Sequence, residues 1–187
     1  MNFNFGFTSG GSSSSSANLY GLFSETGSST PVTNTTVETT LIDGGLGSLT
    51  VPANGFTVGD AFRLDMLGHI SSQNNRTLQI RVKANSVVLG DTGLITMPQT
   101  TAKHWCLELN FCIRALGIAG VGSIASAGVF TYSKDASNAF EGSTFVTVEN
   151  TNFDTTVSNT LNITAQWGNA TTANSIYTDI LNLYKIY

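Results

Sequence analysis

Three properties of the chain predict an all-β fold, an antiparallel sandwich closed as a jelly roll. From Val32 onward, apolar and polar residues alternate with a period of two, as expected of strands with one buried face. Gly, Asn, Asp and Pro punctuate that alternation at roughly 8 to 12 residue intervals, the spacing of short strands joined by turns. No stretch holds a helical period long enough to define a helix. About eight to ten strands in two packed sheets fit this pattern, with a closed up-and-down barrel as the alternative topology.

Taken in order, Val37 to Ile42 reads as a first strand stopped by Asp43-Gly44-Gly45, and Leu46 to Val51 as a second stopped by Pro52. Ala61 to Ser71 puts Phe62, Leu64, Met66, Gly68 and Ile70 on one face, with Arg63, Asp65, Leu67 and His69 on the other. Arg76 to Ala84 points Leu78, Ile80 and Val82 inward; Val87 to Leu89 and Leu94 to Met97 follow as short strands. His104 to Ala115 is the longest, with Trp105, Leu107, Leu109, Phe111 and Ile113 forming an apolar face. Gly122 to Tyr132, Ser143 to Glu149 and Asn159 to Trp167 complete the set before the last strand.

That last strand spans Ile176 to Tyr187. Its two alternating rows are Ile176, Thr178, Ile180, Asn182, Tyr184, Ile186 and Tyr177, Asp179, Leu181, Leu183, Lys185, Tyr187. A terminus so rich in Ile, Leu and Tyr is expected to be pinned centrally in a sheet, not left in water.

Residues 1–31 differ in composition. A Ser/Gly run, Thr8 to Ser16, and a Ser/Gly/Thr stretch up to Pro31 read as flexible tether. Aromatic clusters flank the first run, and Phe3, Phe5, Phe7, Tyr20 and Phe23 are candidate anchors on a neighbouring protein. The expected division is therefore an arm, 1–31, and one sandwich domain, 32–187.

Charge is sparse. Asp, Glu, Lys and Arg make up 11% of the 187 residues, against roughly 25% in a typical soluble domain, and Ser, Thr and Asn carry the polarity instead. Such a surface repels its neighbours weakly and suits packing between subunits. With a net charge of −4 there is no basic footprint for nucleic acid. The N-terminus has neither the basic region nor the apolar run of a signal peptide, and no stretch approaches the roughly 20 apolar residues of a membrane span. The expectation is a protein kept in the compartment where it is made.

No catalytic constellation is visible. His69 and His104 each alternate with apolar residues on a strand, outside any GxSxG, HExxH or Cys-His arrangement. Cys106 and Cys112 share a strand face about 20 Å apart, too far to bridge, and have no CxxC spacing for a metal. Trp105 and Trp167 could stack on sugars, but both fall on inward positions. No catalytic residue, cofactor or metal is expected. Three polar loops, Ser71 to Asn75, Tyr132 to Gly142 and Gly168 to Asn174, could hydrogen-bond surface glycans.

Leu49-Thr-Val-Pro-Ala-Asn-Gly-Phe-Thr-Val-Gly-Asp-Ala-Phe-Arg-Leu64, Leu78-Gln-Ile-Arg-Val-Lys83, Val88-Leu-Gly-Asp-Thr-Gly93, Trp105-Cys-Leu-Glu-Leu109 and Asn159-Thr-Leu-Asn-Ile-Thr-Ala-Gln-Trp-Gly168 together resemble a jelly-roll module of virion structural proteins. That module, of tumour-necrosis-factor-like or capsid-like topology, occurs in tailed phages and large DNA viruses, in tail-fibre, decoration and minor-capsid roles. The likeness runs from about Leu46 to Tyr187. It implies a trimer-forming sandwich without catalytic residues, located in a virion assembled in the host cytoplasm, with other capsid or tail proteins as partners of the arm. The expected alternative is a carbohydrate- or receptor-binding head of a fibre or adhesin.

Overall fold

The computed structural model describes residues 21–134 and 139–187. Among these residues there is no helix. The strands are β1 (Leu22–Glu25), β2 (Val32–Thr33), β3 (Thr39–Thr40), β4 (Gly45–Ser48), β5 (Thr50–Val51), β6 (Ala61–Ser72) and β7 (Arg76–Ala84). They continue as β8 (Val87–Asp91), β9 (Ile95–Met97), β10 (Thr100–Ala115), β11 (Ser123–Ser133), β12 (Phe140–Asn150), β13 (Asn159–Trp167) and β14 (Ser175–Lys185). β2, β3, β5 and β9 are short edge ladders of two or three residues, which leaves ten longer strands.

Two antiparallel sheets face each other. The first has the order β12-β11-β10-β6-β14-β1-β4, with β2 also on β14; the second has β3-β13-β7-β8, with β5 on β13 and β9 on β7. The pairing is nested: β1 with β14, β3 and β5 with β13, β6 with β10, and β7 with β8 at the tip. A long antiparallel ribbon rolled up in this way is a jelly roll. The hairpin β11–β12 is inserted between β10 and β13 and carries the first sheet past β10.

Strict alternation places the core as expected. Phe62, Leu64, Met66 and Ile70 on β6, Leu78, Ile80 and Val82 on β7, and Trp105, Leu107, Leu109 and Ile113 on β10 are buried between the sheets. Gly68 is the small member of the β6 row because the Trp105 indole crosses above it and donates from Nε1 to the Tyr177 carbonyl at 3.0 Å. Trp167 closes the other side, donating from Nε1 to the Val32 carbonyl at 3.0 Å. Phe62 stacks on Phe111 at 5.0 Å, and Phe56 meets Phe153 edge-on at 5.5 Å.

Three sequence expectations are corrected. The first strand begins nine residues before Pro31: β1 pairs with both β14 and β4, and Ser29 is buried between β1 and β2. Ser29 donates its N–H to the Thr178 carbonyl and accepts the Thr178 N–H on its hydroxyl, so a Ser-rich stretch read as tether does the work of a strand. β14 is not one alternating ladder, because the register with β6 slips between Thr178 and Ile180. Asp179 is the extra residue of a bulge. Ile176 and Thr178 point inward before it, and Leu181 and Leu183 after it, while Ile180 is turned out. Finally, Val37 to Ile42 is mostly loop, with ladder only at β3, whereas Leu46 to Val51 is strand, interrupted at Leu49 between β4 and β5.

Candidate assembly surface

The outer face of the first sheet is where the structure departs from a simple solvated surface. At one end, register pairs Ala61 with Cys112, Cys112 with Ala125, and Ala127 with Val146, so small side chains line up across four strands. Val146, Val148 and Ile186 stand up beside them, 68%, 63% and 59% exposed. The result is an apolar groove of about 380 Å³. Isolated exposed apolar residues are ordinary, but a contiguous group marks a contact surface.

The groove runs into an open edge. β12 is eleven residues long and pairs, among the described residues, only with β11. Its inward side is used: the Phe145 ring fills the space above Gly90, and Asn150 Nδ2 donates to the Val88 carbonyl, so the insert closes one flank of the sandwich over β8. Among the described residues nothing pairs with its backbone edge, and Val146 and Val148 on its outward side are exposed. A long exposed edge strand is a pairing template unless something blocks it; here a bulge at Glu149, with φ of 54°, interrupts it.

Further along the same face, a row of rings crosses three strands. The centroid of His69 lies 4.5 Å from that of His104 and 5.5 Å from that of Tyr177. The β14 bulge aims Asp179 at this row, with Oδ2 2.5 Å from His69 Nδ1. Oδ1 of the same carboxylate accepts from the Ser28 hydroxyl at 2.9 Å. Serine, histidine and aspartate thus meet, but the carboxylate stands between the other two. The imidazole does not touch the hydroxyl and cannot take its proton, so this is not the order a nucleophilic triad needs.

The remaining ionisable groups act as ties. Asp60 is almost enclosed; burial opposes its ionisation, but hydrogen bonds from Lys185 and Thr57 outweigh that and hold its carboxyl below the ordinary value. This fastens the end of β14 to the start of β6, beside the Ala61 N–H bond to the Tyr187 carbonyl. Both cysteines are free, and burial, then the Glu108 charge, pushes the Cys106 thiol up and away from the reactive thiolate. Among the described residues no group of three or more His, Cys, Asp or Glu could hold a metal ion, and no helix is long and apolar enough to cross a membrane.

Of the expected anchors, Phe3, Phe5, Phe7 and Tyr20 lie outside the described residues. Phe23 sits on β1 opposite Leu183 and Gly47, packed against the chain's own core, so its ring already has an intramolecular seat. Two of the three polar loops, those at 71–75 and 168–174, come together at one end of the sandwich; the third includes residues outside the described ones. Sequence reading missed the apolar groove, because its residues come from four strands and only the register aligns them. No family model matches the chain, and neither a curated protein nor a solved structure is significantly similar to it.

Proposed function

We propose that this chain is a structural protein of a virion, a minor capsid, decoration, vertex or fibre component that works by assembling in copies, as a trimer. The observation that carries this reading is the apolar groove of Ala61, Cys112, Ala127, Val146, Val148 and Ile186 running into the open edge of β12. A second copy can cover both features at once, hiding apolar surface and satisfying edge N–H and C=O groups. The sequence resemblance to trimer-forming jelly rolls of virions supports the same reading. The arm, with Phe3, Phe5 and Phe7, then holds the assembly on other capsid or tail proteins.

Light scattering after size exclusion tests it, on the full chain and on a version starting at Gly21, which keeps β1. A mass of three times 19.7 kDa for the full chain is expected, and a trimer in the shortened version as well. A single-chain mass in both would overturn the reading.

A further inference from the structure

At one end of the sandwich three turns distant in sequence enclose an open cleft of about 670 Å³. Its walls come from the β6–β7 turn, the segment leading into β10, and the β13–β14 loop. These walls are tied to one another. Asn174 is fully buried, and its Oδ1 accepts the Gln73 N–H at 3.0 Å. The Ser72 hydroxyl donates to the Pro98 carbonyl at 2.5 Å, and the Ala102 N–H donates to the Ser71 hydroxyl at 2.9 Å. Ala102 is held at φ of 47°, a left-handed conformation that alanine adopts only at a cost, as happens where surrounding contacts fix a strained backbone. The cleft is therefore formed before any ligand arrives.

Its chemistry is narrow. Gln73, Asn74, Gln99, Thr101 and Thr172 offer amides and hydroxyls, and among the described residues Arg76 is the one charged residue lining it, with no carboxylate beside it. Arg76 Nε donates to Gln73 Oε1 at 3.2 Å, while its two Nη groups have no acceptor among the described residues. A guanidinium presenting two free N–H groups fits a carboxylate in a bidentate pair. One cation suits one negative charge, not a polyphosphate, and the amides and hydroxyls suit a polyol. Among the described residues no aromatic ring lines the cleft for a neutral pyranose to stack on, so charge has to supply what stacking does not.

We propose that this cleft binds an acidic sugar, a pyranose bearing a carboxylate, with Arg76 on the carboxylate and Gln73, Asn74, Gln99 and Thr101 on its hydroxyls. Single-site affinity is weak, and several copies in one particle raise it by multivalency. The test is calorimetric titration of the full chain with 3′-sialyllactose, with a hexuronic acid disaccharide and with lactose; the first two separate sialic from uronic acids.

One acidic ligand binds with Kd between about 0.1 and 5 mM, and lactose binds at least about tenfold more weakly. Arg76→Gln lowers the acidic ligand's affinity about tenfold, and Arg76→Lys, which keeps charge but loses the fork, by less. Thr101→Val, on the opposite wall, weakens binding severalfold without touching Arg76, and all three variants keep the parent melting temperature. Binding of neither acidic sugar at about 10 mM, lactose binding as well as they do, or Arg76→Gln binding unchanged would each overturn the proposal.

Discussion

The two sheets of the sandwich present opposite outer faces. On the second sheet, the positions alternating with the core are Gln79, Arg81 and Lys83 on β7, knitted to Glu38, Asp91 and Gln166 by ion pairs and amide bonds. Every charge there has a partner, and the face is complete in water. On the first sheet, the corresponding positions at the β10–β12 end are Cys112, Ala125, Ala127, Val146 and Val148, and Arg114 is the one charged residue beside them in the groove among the described residues. One strand pattern thus produces a finished face and an unfinished one. The difference shows where this protein's sparse charge is spent.

The strongest way to break the comparison is to finish the first sheet's face artificially. Val146→Asp with Val148→Asp buries two unpaired charges in any copy-to-copy contact, which costs roughly 3 kcal/mol or more and weakens association at least about hundredfold. Light scattering should show single chains, with the melting temperature kept. The inner side of the same sheet should respond in the reverse way. A Cβ at Gly68 would lie 2.8 Å from Trp105 Nε1 and 2.0 Å from the Tyr177 carbonyl, so Gly68→Ala lowers stability by about 1 to 3 kcal/mol, read by denaturant unfolding.

On the second face, Glu38→Gln removes the shared partner of Arg81 and Lys83 from a half-buried network. About 1 kcal/mol of stability is lost, without change in mass. Acid sharpens the contrast more gently. Glu38, through hydrogen bonds from Lys83 and Thr164, titrates below its ordinary value when folded, as Asp60 does. The unfolded chain therefore binds these protons more readily; the stabilisation is whole above about pH 5 and is lost as pH falls through the lowered folded values. Thermal melts at pH 7, 5 and 3.5 should show no change over the first step and a drop over the second.

Much of the fold was legible because β6, β7, β13 and β10 from His104 on alternate, and their buried rows follow directly from that period. What was not legible depends on partners distant in the chain. Ser24 to Pro31 reads as linker, because nothing local shows that Thr178 will bond Ser29. The bulge at Asp179 did leave a trace: Ile180 and Leu181 are adjacent apolar residues, which one alternating strand cannot both bury. Neither the groove nor the cleft has a linear signature. Both are products of register and of loops meeting at one end, although two of the glycan-facing loops named from composition are among those that meet.

The nested pairing also bears on how the protein is made. β14 lies between β6 and β1, so the middle of the first sheet is supplied by the strand that leaves the ribosome after every strand it touches. Until then β1 and β6 have an empty lane between them, and the nascent chain cannot complete that sheet however long translation pauses. Folding must wait for that strand and then close contacts across nearly the whole sequence, which is intrinsically slow. The sandwich is therefore finished after synthesis of β14 rather than during it.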